Sequence, residues 1–182
     1  MTKQTHKMIS MYKILGLNLI KNGTAFLKRA FHLKVNKTTR TYLRGILLNK
    51  QTPLKNVLFA DPNYYFVSIE EMRDIIEHDW TDRAQYEKDW NDCDDFAFRF
   101  KSHMQERYGV TAVALCKHIE LFDTDTGEHL DFHRANVFFA DENGIIKLWF
   151  LEPQTDRVVE VKNYTEFIKL TGWLNKLNVF DF

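Results

Sequence analysis

Few residues in this chain have nucleophilic chemistry to offer, and they are widely spaced. Cys93 stands in WNDCDDFAFRF, residues 90–100, with Asp92, Asp94 and Asp95 around it. His133 lies in FHRANV, and Glu152 and Gln154 lie in LEPQTD. A thiol attacks a carbonyl when a base takes its proton, and the base works best when a third group fixes its tautomer. An imidazole followed by a carboxylate or carboxamide suits those two tasks. The attack also needs donors for the oxyanion, and the first N–H groups of a helix, which lack intrahelical partners, supply them. A helix N-terminus and an imidazolium partner bring a thiol from about 8.5 into a range of roughly 3.5–7.5. Three carboxylates beside the thiol oppose that. Their own use is at a helix start, where capping and the macrodipole favour acids by about 0.3–1 kcal/mol each.

Two elements must bring these groups together. The first is a helix that opens near Cys93 and runs to about Tyr108, with Gly109 as its stop. Cys93, Phe96, Ala97, Phe100 and Met104 recur at the spacing of one buried helical face, so Cys93 points inward at the first turn and the aspartates point off that stripe. The second is a hairpin: FHRANVFFA (132–140) and IIKLWFLE (145–152) flank the turn sequence DENG (141–144). With Glu142-Asn143 as the loop, paired positions sum to 285 and His133 faces Glu152; with Asn143-Gly144 they sum to 287 and it faces Gln154. Side chains alternate, so both share the face of His133 in either register, and Asp156 has the same parity.

The remaining chain supplies the frame. Ser68-x-x-Glu71 matches a capping box ahead of a helix over 69–78, and a short helix is expected over 82–89. VTAVALCKHIELF (110–122) and RVVEV (157–161) read as strands, and NYTEFIKLTGWLNKL as a closing helix. Upstream, the stretch from Ile9 to Ile20, AFLKRAFHL (25–33) and YLRGILL (42–48) are amphipathic or apolar helical pieces, and Thr52-Pro53 marks a boundary. The organisation expected is a basic helical extension, 1–52, and an α+β domain, 53–182.

The segments W-N-D-C-D-D-F-A, F-H-R-A-N-V and L-E-P-Q-T-D, in that order over roughly residues 64–161, resemble the transglutaminase-like cysteine-protease superfamily, closest to the bacterial transglutaminase-like cysteine proteinases. The resemblance implies a papain/transglutaminase-like core: N-terminal helices, then an antiparallel sheet, with the nucleophile at a helix N-terminus. It implies a hydrolase or transferase of the cysteine-protease kind with a catalytic triad of Cys93, His133 and a third member at Glu152 or Gln154. The family has Asp or Asn there, so Glu152 is a departure. Asp92, Trp90 and Gln85 are the candidates for oxyanion and supporting roles. The reaction implied is thiol-dependent acyl transfer on a peptide or protein amide: hydrolysis, deamidation or transamidation. No metal or organic cofactor is implied.

Bulk properties narrow the field. With 182 residues and Phe 15, Tyr 7 and Trp 4, the chain can build a core without a metal or disulfide staple. Two cysteines, Cys93 and Cys116, fit a reducing, cytoplasmic setting. No apolar run approaches the roughly 18 residues of a transmembrane helix. The net charge of zero hides a split: residues 1–60 hold 12 Lys+Arg and no acid, leaving 13 Lys+Arg and all 25 Asp+Glu for 61–182. The basic segment is suited to docking on the acidic body, or to an acidic protein, nucleic acid or anionic membrane.

Other readings stay open beside this one. Cys93 on an apolar stripe also reads as an inert core cysteine, as Cys116 does. A fold with a lapsed triad acts as a binding or assembly module. His129, Asp131 and His133 share a strand face and form a candidate metal set. The aromatics Trp80, Tyr86, Trp90 and Trp149 are candidates for a cleft lining or for core.

Overall fold

The structure is a computed structural model that describes residues 33–50, 57–87, 90–122, 126, 128–163 and 179–181. Every element below belongs to the unit Lys34–Phe182. The elements are β1 (Asn36–Thr39), α1 (Arg40–Asn49), β2 (Val57–Leu58), β3 (Asn63–Phe66), α2 (Ile69–His78), α3 (Cys93–His103), β4 (Val113–Phe122), β5 (His129–Glu142), β6 (Ile145–Glu152), β7 (Arg157–Glu160) and β8 (Val179–Asp181).

Each element begins or ends where local chemistry directs. Thr39 caps α1 by accepting from the Tyr42 N–H at 3.3 Å. Ser68 and Glu71 close the capping box of α2, with Ser68 Oγ accepting from Glu71 N at 3.1 Å and Glu71 Oε2 from Ser68 N at 2.9 Å. α3 passes into one wider turn, Met104–Tyr108, that ends at Gly109 with φ 69°, the left-handed conformation glycine adopts without a Cβ penalty.

Six strands form one sheet in the order β2-β8-β4-β5-β6-β7; β2 and β8 run parallel and the other neighbours antiparallel. β1 and β3 make a separate antiparallel pair. The β5–β6 turn is Asn143-Gly144, with φ of 57° and 83°, and Asp141 Oδ1 accepts from Gly144 N at 2.9 Å. The ladder therefore follows the 287 register, from Glu142↔Ile145 to Asn136↔Leu151. Alternation splits the buried residues of β5 between two sets of partners. Ala135, Val137 and Phe139 join Leu43 and Leu47 of α1, Cys116, Leu148 and Phe150 in one cluster. Asn136 reaches α3, its Nδ2 donating to the Ala97 carbonyl at 3.0 Å and to the Ala114 carbonyl at 3.3 Å.

Several expectations are corrected. The papain/transglutaminase-like order, helices first and an antiparallel sheet after, is not the order found. β1, β2 and β3 come before α2, and the sheet is mixed because β8 enters between β2 and β4. β3, NYYF, was not anticipated; its buried Tyr64 and Phe66 alternate with Tyr65, which is 40% exposed. The 82–89 helix is replaced by a tight 3₁₀ turn, Trp80–Arg83, which Asp79 initiates by accepting from Thr81 N at 3.1 Å. An extended bridge between Glu87 and Asn91 follows. The helical pieces before residue 33, the Thr52-Pro53 boundary and the closing helix 163–177 lie outside the described residues, apart from the ends at Leu33 and Asn163. Among the described residues, no helix is long and apolar enough to cross a membrane.

Candidate functional site

Cys93 is the first residue of α3, half-buried and unpaired in any disulfide. The acids around it build the helix start. Asp92 Oδ1 accepts from Asp94 N at 3.2 Å, and Asp95 Oδ2 accepts from Asp92 N at 3.3 Å, a reciprocal capping arrangement. Asp94 turns to Arg134, whose Nη1 donates to Asp94 Oδ2 at 2.5 Å. A hydrogen bond to the Asp92 side chain holds the Asp94 carboxyl above its ordinary value; partial desolvation adds to this and Arg134 opposes it. The Arg134 guanidinium stands against the acidic cluster and offsets part of its charge beside the thiol.

His133 connects the helix to the sheet. β5 has left β6 by this point, since their ladder ends at Asn136, and His133 is paired only with Ile119 of β4. An extra residue enters β4 between Cys116 and Ile119, opposite the step from Ala135 to His133. Such a bulge re-aims the side chains beside it. The His133 side chain hydrogen-bonds Cys93 on one hand and Glu152 on the other, Nε2 to Oε2 at 2.8 Å. The imidazole is 11% exposed and the Glu152 side chain 6%. Burial alone would lower the imidazole pKa; the hydrogen bonds to Cys93 and Glu152 and their negative charges outweigh it and raise the value from 6.5 to about 9. His133 is therefore an imidazolium at neutral pH, held between Cys93 and Glu152.

Glu152 follows Leu151, the last β6 residue paired with β5, and it reaches His133 through its side chain, beyond the end of the ladder. Its second oxygen accepts from Gln154 N at 3.3 Å, which fixes the carboxylate at the start of the Pro153–Asp156 turn. The backbone of Gln154 thus touches Glu152, while its side-chain Nε2 is buried with no partner among the described residues. Asp156 faces other acids: burial first, then Asp82 and Asp79, raise its carboxyl to about 6. The Gln85 side chain and the Trp90 ring are exposed, Trp90 to 80%. The Gln85 carbonyl accepts from Asn91 Nδ2.

His129 and Asp131 are exposed. Among the described residues, the His, Cys, Asp and Glu ligand atoms that converge within 4.8 Å in a group of three belong to Asp92, Cys93 and Asp94. The structure does not bring His129, Asp131 and His133 together as a ligand set. Cys116 is fully buried, and desolvation with the Glu152 charge pushes its thiol well up. Trp149 is buried, whereas Trp80 and Tyr86 are exposed.

Sequence reasoning missed Arg134, Asn136 and a second buried network. The polar pair Arg134 and Asn136 inside an otherwise apolar strand was the available signal. In the second network Asp79, 2% exposed, meets His103 Nδ1 at 2.7 Å and Arg107 Nη1 at 3.4 Å. Burial raises the Asp79 carboxyl, and the hydrogen bonds from His103 and Thr81 reverse that, leaving it low. His103 and Arg107, four apart on one helical face, were the legible half of that network; the distant Asp79 was not.

No family model matches the sequence, and no curated protein matches it. Solved structures do share the fold. One is a PSL1a-E64 complex, with a TM-score of 0.57 and 18% identity, covering 80% of this chain and 51% of that one. Another is Polyporus squamosus lectin bound to the human-type influenza-binding epitope Neu5Aca2-6Galb1-4GlcNAc, with a TM-score of 0.57 and 17% identity, covering 80% of this chain and 49% of that one. The chain spans about half the length of these structures. The transglutaminase-like resemblance is corrected accordingly, because the fold found is one shared with the PSL1a-E64 complex and with Polyporus squamosus lectin. The papain-like core and the readings as hydrolase, cysteine protease and catalytic triad that hung on that resemblance go with it. The geometry of Cys93, His133 and Glu152 is a separate observation on this chain and stands by itself.

Proposed function

We propose that the unit Lys34–Phe182 is a binding module whose recognition site is the Cys93–His133–Glu152 cluster. It holds a thiolate–imidazolium pair that captures a carbonyl-bearing or otherwise electrophilic ligand through sulfur. The observation that carries this reading is the doubly bonded His133, held between Cys93 and Glu152 and protonated to about pH 9. A plain core cysteine needs neither partner. The likeness to structures that hold E64 and a sialylated epitope is a likeness of fold, and it agrees with a module that binds. Two cysteines outside any disulfide suit a reducing compartment, so a cytoplasmic location belongs to the same proposal.

The test is the iodoacetamide alkylation rate of Cys93 against pH, read by intact mass with Cys116 as internal control. Wild type should react at pH 7 at least about tenfold faster than His133→Ala. The pair should disappear as His133 loses its proton near pH 9. Equal rates in the two proteins would refute the reading.

A second reading is turnover of the same ligand: acyl transfer on a peptide or protein amide. One observation favours it. Cys93 is the first residue of α3, where the leading N–H groups of a helix lack intrahelical partners and can serve an oxyanion. Sulfur would bond to the carbonyl carbon, His133 would give its proton to the departing amine, and water or a second amine would release the acyl group. Multiple turnovers on a chromogenic amide, abolished by Cys93→Ala, would separate this reading from capture alone.

A further inference from the structure

A second cleft lies far from Cys93. Its volume is about 750 Å³, within the range of ligand sites. The β1–β3 pair, the first turn of α2 and the tip of the β5–β6 hairpin meet there, with Ser68, Glu71, Asp141 and Gly144 in its walls. Asp141 and His133 stand eight residues apart on β5, about 26 Å at about 3.3 Å per residue. One small ligand does not reach both places.

Part of the lining is apolar. Asn36 faces Phe66 across the β1–β3 ladder, so their side chains share one face of the pair. Phe66 is buried, and Ile146 of β6, half-buried, borders the same space. Hydrogen bonding separates the engaged polar groups from the open ones. Both Glu71 oxygens are engaged: Oε1 accepts from Lys34 N at 2.7 Å, and Oε2 accepts from Ser68 N at 2.9 Å and Ser68 Oγ at 3.0 Å. Asp141 Oδ1 accepts from Gly144 N at 2.9 Å. Asn36 Nδ2 donates to the Lys34 carbonyl at 3.2 Å. Without a partner among the described residues are the Lys34 and Lys37 ammonium groups, the Tyr42 hydroxyl, Asn36 Oδ1 and Asp141 Oδ2. The open donors thus carry two positive charges, against one open carboxylate oxygen. A carboxylate next to an amide N–H and an apolar side chain would engage every one of these groups. That set is the end of a peptide chain, and capture of a terminal carboxylate is a known mode of peptide recognition. The volume exceeds what one such residue fills, which leaves room for the residue before it.

We infer that this cleft binds the C-terminus of a peptide whose last side chain is aromatic or aliphatic, with the carboxylate at Lys34 and Lys37 and the side chain against Phe66 and Ile146. It is a second site, independent of capture at Cys93.

The experiment titrates N-acetyl-phenylalanine and its primary amide into the isotope-labelled full chain at low salt, followed by backbone amide chemical shifts. The acid should bind with a Kd of about 1 mM, ordinary for a ligand of its size. The amide should bind about tenfold more weakly, because its hydrogen bonds are no longer charge-assisted. Lys34→Ala and Lys37→Ala together should weaken the acid about tenfold and the amide little, and Tyr42→Phe should weaken the acid about threefold. All three residues are exposed, so their loss does not endanger the fold. Cys93→Ala should leave the affinity unchanged. N-acetyl-alanyl-phenylalanine should bind more tightly than N-acetyl-phenylalanine; equal affinity would overturn the peptide as the source of the carboxylate. Acid and amide of equal affinity, an affinity that the lysine changes leave alone, or one that Cys93→Ala abolishes, overturns the site. Failure of the capture reading shows elsewhere, in a Cys93 alkylation rate that does not respond to His133→Ala.

Discussion

Replacing Glu152 with Gln should change how the stability of this protein depends on pH. The carboxylate accepts from His133 Nε2 at 2.8 Å in a nearly dry setting, and His133 titrates at about 9 rather than 6.5. A group whose folded pKa is raised contributes stability that is complete below its unfolded value and is lost as pH rises through its folded value. For His133 that window runs from 6.5 to about 9. At about 1.4 kcal/mol per pH unit the net difference is worth about 3 kcal/mol, what Cys93 and Glu152 contribute beyond the cost of burial. Cys93 bonds His133 as well, so the comparison belongs in a Cys93→Ser background, where a hydroxyl keeps the contact and carries no charge. There the Glu152 part should appear as a fall of about 1–2 kcal/mol in unfolding free energy between pH 6.5 and 9. With Glu152→Gln added, the amide still meets the ring but has no charge, and the curve should flatten. Urea midpoints at pH 6, 7.5 and 9 measure this, with the slope m checked for constancy. Parallel curves for the two proteins would refute the claim that Glu152 holds the imidazolium.

Two further substitutions probe the frame. Asp156 has a raised carboxyl, so its neutral form is the one the fold prefers, and its contribution is lost as pH rises from 3.8 through about 6. Asp156→Asn, which also tolerates the φ of 54°, should stabilise at pH 7.5 by about 1 kcal/mol after discounting for partial exposure. It should do nothing at pH 4; thermal midpoints at the two pH values decide. Asn136→Ala removes both donations that tie α3 to β4, at 3.0 and 3.3 Å. It should cost about 1–3 kcal/mol in urea denaturation and slow Cys93 alkylation, since α3 carries the thiol.

Local order was legible where periodicity and turn chemistry agreed. The Ser68–Glu71 box and the stripe from Cys93 to Met104 each state one structure in a few adjacent residues, and the structure has them; the DENG turn left two loops open, of which Asn143-Gly144 is the one found. The register arithmetic put His133, Glu152 and Gln154 on one face but could not choose between partners. That choice is made by the end of the β5–β6 ladder at Asn136 and by the extra residue in β4, neither of which leaves a mark in alternation. The sheet order was not legible either. β2 and β8 lie more than a hundred residues apart in sequence and pair over two residues, too short a match for any pattern to announce. The expected catalytic family came from three short motifs, and motifs of that length locate chemistry better than they identify a fold.

The acids around Cys93 raise the remaining physical question, since a thiolate should not sit beside three carboxylates. Arg134 resolves most of it and yields its own prediction. The Arg134–Asp94 pair is 33% and 39% exposed on its two sides, and a pair that open contributes about 0–1 kcal/mol to folding. Arg134→Ala should therefore leave the urea midpoint nearly where it was. Its effect lies in the field at the thiol: with the guanidinium gone, the Asp92–Asp94 cluster carries its negative charge uncompensated at the first turn of α3. Cys93 alkylation at pH 7 should then slow several-fold, and Arg134→Lys, which keeps the charge but not the planar fork, should recover part of the rate. Raising the salt concentration should narrow the gap, because the pair is open enough for ions to screen it. An Arg134→Ala protein that keeps both its stability and its alkylation rate would show that the aspartates never reached the thiol. Capping would then be their whole role.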